Sequence, residues 1–326
     1  AVRDGRWLAV FVGVPGALAV ASTPLIARAS GVPSATVEQL GPFPLLMAVG
    51  VLFNGFGSAA TSCLVALRQS RVVLHAGLAG AACTVILSPL LVRPLGLNGA
   101  GVALCAAQLV GCLITVSGLR KRLRGRLGFR VHFGQIWELA KVGVPMAGTV
   151  LVKFAVLGVL AIAAAWVSET AAAAHNIATA LVSLAFTAAV AIGQAIVPQV
   201  DKRTMTAGLA STAVTLSVIC AVIVLGDVPR LFTDDPAVVD VVTGLLGLIV
   251  LVVLADGLQA VLGFGLAGRK RTTPSFAVFA VCYGVLAIVA VPAAAHGLTG
   301  LWVALALANL AVAAGQAVAF RKAGNL

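Results

Sequence analysis

Two strongly ionisable side chains, Lys153 and Asp256, sit deep inside stretches that are otherwise apolar for twenty residues or more. Holding a charge at the centre of a bilayer costs about 2.5–3.5 kcal/mol on insertion scales, so an ionisable residue there marks a working position. Lys153 stands roughly 12 residues from the start of its stretch, about 18 Å along a helix. Asp256 lies about 10–13 residues from the corresponding end of its own, about 15–20 Å. Similar depth allows the two to meet. A buried carboxylate suits cation coupling, because desolvation disfavours its charged form while a neighbouring ammonium favours it. Its proton can then follow whichever side of the membrane the site faces. A purely structural ion pair accounts for the same two residues, and both readings stand at this point. Glu138 and Lys141 lie near a helix end, where a long stem can carry its charge to the interface.

Weaker polar positions within apolar stretches are Asn54, Gln108, Thr149, His175, Asn176, Gln194, Gln259 and Asn309. Gln259 follows Asp256 by three residues and shares its helix face. Each of these side chains can bond a substrate or a neighbouring helix. Phe53, Phe56, Phe154, Phe186 and Tyr283 can wall a binding cavity or simply pack. The six cysteines all fall in apolar stretches without CxxC spacing or a histidine partner, so they read as small hydrophobes and no metal or cofactor is expected. DDxxD, HExxH, Walker A and GxSxG patterns are absent, which argues against an enzyme, and no nucleotide-binding domain is present to drive a primary pump. The prolines at 15, 24, 42, 44 and 145 are candidate kinks.

The elements that carry these residues follow from composition. Of 326 residues 61% are hydrophobic and only 10% charged, with a mean hydropathy of +1.10. A soluble domain carries about 25% charged residues, and a disordered chain is poor in hydrophobic ones. The chain therefore reads as an all-α polytopic membrane protein. Spanning helices of about 20 residues are predicted at 7–27, 40–66, 73–92, 98–119, 136–166, 171–197, 206–225, 237–266, 274–293 and 299–320. Long Leu/Ala-rich stretches without period-2 alternation exclude strands. Ten spans put both visible termini on one side. That side collects seventeen of the 22 basic residues, the opposite loops hold only Arg28, Arg93 and Arg230, and the other two, Lys141 and Lys153, lie within the fifth segment. By the positive-inside rule the basic side is cytoplasmic, which places the chain in the cytoplasmic (inner) membrane. The run Arg120–Arg130 reads as a linker lying on anionic headgroups. With no soluble domain beside it, nucleic-acid binding is not expected.

An internal repeat adds a second constraint. GLNGAGVALCAAQL from Gly96 to Leu109 matches GLTGLWVALALANL from Gly297 to Leu310 at eight of fourteen positions, an offset of 201 residues. The same offset lays Arg68 on Arg269. Both copies run in one membrane direction, as in parallel repeats related by an axis along the membrane normal. A second repeat starting near Phe133 would put the start of the first about 67 residues before Ala1, room for two helices of about 20 residues. The expectation is a six-plus-six architecture with ten of twelve helices present: 1–119 with four helices of the first lobe, a basic linker at 120–134, and 135–326 with six.

The stretches Val144-Pro145-Met146, Ala171 to Ile177 with its Ala-Ala-His-Asn-Ile core, and Ile192-Gly193-Gln194-Ala195 resemble the seventh and eighth helices of multidrug and toxic compound extrusion (MATE) transporters. Ala255 to Gln259 and the Gly268-Arg-Lys-Arg271 turn resemble the tenth. The resemblance runs over essentially all 326 residues as helices three to twelve of twelve, N-terminally truncated. It implies two six-helix lobes and antiport of organic cations against protons or sodium by alternating access, by a monomer in the bilayer. Asp256 falls on an acidic position that serves cation coupling in one subgroup. The seventh-helix acid of that subgroup falls on Lys153, a departure that argues against sodium and for proton coupling. Asn54, Phe154, His175, Asn176, Gln194, Gln259 and Tyr283 are the candidate substrate-binding residues. The expected activity is export of drugs and other organic cations. The rival readings are a lipid-linked saccharide flippase of the same superfamily and a transport-dead membrane protein.

Overall fold

The computed structural model describes residues 2–29, 34–122 and 133–324. Ala-, Leu- and Val-rich stretches can satisfy their own backbone in hydrocarbon only as helices, and every regular element among these residues is helical. The helices are α1 (Val2–Ala21), α2 (Thr23–Ala29), α3 (Ser34–Gln39), α4 (Phe43–Ala66), α5 (Ser70–Leu95), α6 (Leu97–Arg122), α7 (Phe133–Val167), α8 (Glu169–Ile196), α9 (Lys202–Leu225), α10 (Pro236–Gly244), α11 (Leu246–Gly268), α12 (Thr272–Ala294) and α13 (Gly297–Gly324), with a 3₁₀ turn at Val228–Leu231. The chain divides into two compact units, Ala1–Ala140 and Lys141–Leu326. Within the basic stretch, Arg120 to Arg122 end α6, and 123–132 lie outside the described residues.

Among the described residues nine helices are long and apolar enough to cross a membrane, and a bent pair, Trp7–Ala21 with Thr23–Ala29, makes a tenth. The pair bends by 49° beside Pro24, which has no N–H to donate. The hydroxyl of Thr23 donates to the carbonyl of Val20 that Pro24 cannot reach, and that of Ser22 donates to the carbonyl of Leu18 alongside its own N–H, both hydroxyl bonds at 2.7 Å. Pro42 and Pro44, expected as kinks, instead start α4, where a missing N–H costs nothing. The predicted span 237–266 is also corrected, since it breaks at Leu245 into α10 and α11. Asp235 caps α10 by accepting from the Ala237 N–H at 2.9 Å, and this short helix packs against α8.

The repeat is visible as topology inside each unit. In the first, α1 packs on α4, α4 on α6 and α5 on α6; in the second, α9 packs on α11, α11 on α13 and α12 on α13. The turn after α4 and the turn after α11 are the same structure. Arg68 (φ 56°) and Lys270 (φ 57°) both take the left-handed conformation, and the next residues, Gln69 and Arg271, donate back to Leu64 and Leu266, each at 2.8 Å. This is a Schellman cap. Arg68 therefore corresponds to Lys270, not to Arg269 as the sequence offset suggested, and one residue is lost before Gly297 restores the offset of 201. At the second turn Gly96 and Gly297 have φ of 55° and 72°, which only glycine adopts without strain. Three residues on, a Cβ on Gly99 would strike the carbonyl of Leu91, and one on Gly300 that of Ala293. The shared Gly-Leu-x-Gly motif is thus a tight turn followed by a helix crossing directly over the one before it.

Large aliphatic side chains such as Val85 and Ile288 cover the outer faces, as lipid contact requires. The core of the second unit gathers on α11, more than half of which is buried. Helices α8, α9 and α13 pack around it.

Candidate functional site

Asp256 lies at the middle of α11 and is almost wholly buried. Lys153, on α7, reaches it: the ammonium Nζ stands 2.7 Å from Oδ1 and 2.6 Å from Oδ2. Gln259, one turn further along α11, donates from Nε2 to the same Oδ1 at 2.8 Å. The ammonium also sits over the ring of Phe186 on α8, 3.6 Å from its centroid. Each charge is therefore matched by a partner and an oriented dipole or ring, the condition under which an ion pair survives in low dielectric. By contrast the ion pair of Arg230 with Asp227 is an exposed contact at the 3₁₀ turn.

Two cavities of the second unit meet at Lys153, and Asp256 lines the smaller of them. One, of about 190 Å³, is lined by Lys153, Asp256, Thr179, Ser183, Thr187, Phe186, Tyr283, Trp302 and Asn309 among others, and lies toward the first turns of α8 and α13. The other, of about 300 Å³, lies toward the basic Arg269–Arg271 turn and has Phe154, Phe186, Phe264 and Phe279 as walls, with Gln259, Ser275 and Gln316 as polar lining. Lys153, Phe154 and Phe186 line both. The pair thus stands between two chambers at different depths in one helical unit.

Packing along α7 changes at the same place. Beyond Lys153, Val156, Leu160, Ala163 and Ala164 are buried in the core. Before it, no residue from 137 to 155 is buried. Pro145, whose carbonyl accepts from Thr149 Oγ1 at 3.0 Å, interrupts this loosely packed half. The Lys153–Asp256 contact is therefore the point where the core-buried half of α7 gives way to a half without buried residues from 137 to 155.

The other sequence candidates divide. Gln259, Phe154 and Tyr283 line the chambers. Tyr283 is wholly buried, stacks on Phe279 with centroids 4.2 Å apart, and donates to Asn309 Oδ1 at 3.0 Å. His175 is buried beside Trp302, ring centroids 5.9 Å apart, one turn from the first chamber. Asn176 and Gln194 line neither chamber and lie on exposed faces of α8. Asn54 belongs to the first unit, where it accepts from Ser58 Oγ at 3.0 Å and lines an uncharged cavity of about 360 Å³ with Gln108 and several threonines. Sequence reasoning passed over Ser275 and Gln316, which bond at 2.9 Å. Their signal was a polar residue at the start of one span and another late in the next, too weak to single out. Among the described residues no group of three or more His, Cys, Asp or Glu side chains forms a metal site.

No family model matches the chain. It is 23% identical over 317 residues to the probable multidrug resistance protein NorM of Aromatoleum aromaticum, covering 88% of this chain and 68% of the relative. With the protein of the same name from Bradyrhizobium diazoefficiens it shares 27% over 255 residues, 70% of this chain and 54% of the relative. The chain thus spans between about half and two thirds of these curated relatives. Among solved structures it matches the eukaryotic MATE transporter AtDTX14 with a TM-score of 0.82 at 17% identity, covering 99% of this chain and 80% of that one. A mutant of the Vibrio cholerae MATE transporter VcmN gives 0.78 at 16%, covering 99% and 82%. A MOP superfamily transporter from Pyrococcus furiosus, described as having a binding pocket of reverse polarity, gives 0.77 at 16%, covering 99% and 81%. The resemblance to MATE transporters holds over nearly the whole chain, and the fold is theirs.

Proposed function

We propose that this MATE-fold chain serves a secondary transporter that exports small organic cations across the cytoplasmic membrane, with the Lys153–Asp256 pair as its proton-coupling group. The observation that carries the reading is the position of the pair: a carboxylate with both oxygens on one ammonium, between two chambers of one helical unit. Protonation of Asp256 removes the counter-charge of Lys153. The ammonium then leaves the carboxyl, and the half of α7 below it, unburied and interrupted by Pro145, loses its contact with Asp256. A substrate cation in the chamber competes for the same carboxylate, so proton and substrate exclude each other, as antiport requires. The four phenylalanines of the larger chamber suit flat aromatic cations. Lys153 already fills the first coordination positions of Asp256, which favours a proton over sodium. Movement between two discrete packings of α7 is the local element on which alternating access rests.

Export of a lipid-linked saccharide is the second reading. Lys153 supplies a cation that a pyrophosphate would seek, and the similarity to a MOP transporter of reversed pocket polarity favours it. Asp256 at 2.6 Å neutralises that cation and counts against it.

The test uses the protein as its native host makes it, in proteoliposomes. A proton gradient and then a sodium gradient are imposed while efflux of a fluorescent organic cation is followed for wild type and Asp256→Asn. Proton-driven efflux lost in the variant supports the reading. Efflux unaffected by the substitution, or absent under both gradients, rejects it and moves the weight to the flippase or to a transport-dead protein.

A further inference from the structure

His175 takes no part in the coupling pair, yet its surroundings are not those of a packed core histidine. It is 2% exposed, and its Nδ1 has no hydrogen-bond partner. Nε2 lies 3.4 Å from Thr179 Oγ1. Trp302, edge-on to the imidazole, is 1% exposed and its Nε1 is also unpartnered. Buried polar groups in folded proteins are almost always bonded to protein or to ordered water. Two orphan nitrogens side by side, both next to a cavity, mark a place that water reaches. Trp302 and Thr179 line the 190 Å³ chamber, which has room for several waters at about 30 Å³ of liquid volume each.

The chamber leads from the neighbours of this histidine, Thr179 and Trp302, to Asp256. Thr179, Ser183 and Thr187 follow His175 at successive four-residue intervals along α8, and all three line the chamber. Successive members of such a row are neighbours on the helix surface, and the row runs from buried His175 to exposed Thr187 over about 18 Å at 1.5 Å per residue. A hydroxyl donates and accepts at once, so with water between them these side chains can form an unbroken hydrogen-bonded chain. Among the described residues no ion pair forms on the imidazole. On α8, Phe186 carries the ammonium of Lys153 from α7, and α9, α10, α11 and α13 pack alongside. Their charged side chains are Asp256 on α11, Asp240 on α10, Lys202 and Arg203 at the start of α9, and Arg321 and Lys322 at the end of α13. Cys220 on α9 is the thiol among them, and α12 contributes Tyr283 to the chamber.

We propose that the smaller chamber is a hydrated proton path whose far station is His175. A proton taken up from water by the imidazole passes along water and the hydroxyls of Thr179, Ser183 and Thr187 to the carboxylate of Asp256. The imidazole returns to its neutral form, Asp256 becomes a neutral acid, and Lys153 keeps its proton and loses its partner. This inference rests on the coupling role proposed for Asp256, but the existence of the path can be read without any transport assay.

The test has three arms, all on the full protein. In a cysteine-free background, Ser183→Cys is challenged with a membrane-impermeant thiol reagent from each side of sealed vesicles. It should react from the side of the α8 start and not from the side of the Arg269–Arg271 turn. With His75, His132 and His296 replaced by Gln, the nitrogen-15 signals of the remaining imidazole should titrate reversibly between about pH 4 and pH 9. Finally, His175→Gln should slow proton-driven efflux at least about tenfold and flatten its pH profile, while labelling of Ser183→Cys persists and shows the fold intact. A Ser183→Cys thiol that stays unreactive, or an imidazole whose signals never change with pH, overturns the path even if Asp256→Asn abolishes transport. Wild-type rate and pH profile in His175→Gln overturn it as well. Efflux that survives Asp256→Asn overturns instead the coupling role on which the path rests.

Discussion

Lys153 and Asp256 are 103 residues apart in the chain, and the ammonium of one rests 2.6 and 2.7 Å from the two oxygens of the other. The contact also marks a mechanical boundary, because α7 is buried beyond Lys153 and unburied before it. Electrostatics and packing therefore act on the same point of one helix, and a change in the protonation of Asp256 is a change in how far α7 is held.

Removing one partner of a buried pair leaves the other charge uncompensated, at a cost of about 3–5 kcal/mol, whereas replacing both with apolar groups of similar size is often neutral. Asp256→Leu and Lys153→Met should each lower the thermal unfolding temperature in detergent, and the double variant should regain most of the loss. All three should fail to export. A double variant no more stable than the singles would show that the pair is not what stabilises this region.

The glycines of the repeated turn are predicted to be unequal to alanine for two different reasons. Gly297→Ala must hold φ at 72°, which costs an L-residue about 1–2 kcal/mol. Gly300→Ala meets the carbonyl of Ala293 and the Cβ of His296, and overpacking of that kind costs about 1–3 kcal/mol. Gly284, with no atom near an added Cβ, is the control and should change stability by much less. Denaturation of purified variants in detergent would give the order.

Tyr283→Phe keeps the ring that stacks on Phe279 and removes the donor to Asn309. The stranded Asn309 Oδ1 is buried, so the loss should be about 1–3 kcal/mol. Asn309→Leu in the same background should recover part of it. A neutral Tyr283→Phe would mean that water replaces the phenol oxygen in the chamber.

Asp201 caps α9 by accepting from the Thr204 N–H at 2.7 Å, and that bond holds its carboxyl below the usual aspartate range. A carboxyl lowered in the folded state contributes above its unfolded value of about 3.9, and the contribution is lost as pH falls through the folded value. Asp201→Asn, which caps without ionising, should therefore match wild type in strongly acidic solution and differ only above it. Amide exchange in the first turn of α9, measured across that range, reads the difference directly.

Much of the architecture was legible because bilayer physics leaves few choices. Long apolar stretches must be helices, and their number, their direction and the crowding of basic residues at one end follow from composition. The errors have local causes. The break at Leu245 was hidden because apolar residues run on without interruption from α10 into α11, and no side-chain cap marks the start of α11. The one-residue slip between Arg68 and Lys270 was hidden because arginine and lysine flank the true position alike. At the site, Asp256, Lys153 and Gln259 were visible as charges and amides where none belong. Asn176 and Gln194 looked equivalent to them, and the structure leaves both exposed on α8, outside the lining of either chamber.

The sequence by itself determined that this chain is a set of membrane-spanning helices, that its second half repeats part of its first, and that two opposite charges lie at similar depth. These are properties of residue type, spacing and solvent. Only the tertiary structure decided that the two charges touch, that two chambers meet at Lys153 and that a buried histidine lies beside Thr179 and Trp302 in the wall of one of them. Such facts depend on how helices rotate and pack against each other. In hydrocarbon that is settled by close contact between side chains, and no pattern of hydrophobicity along a single helix records it.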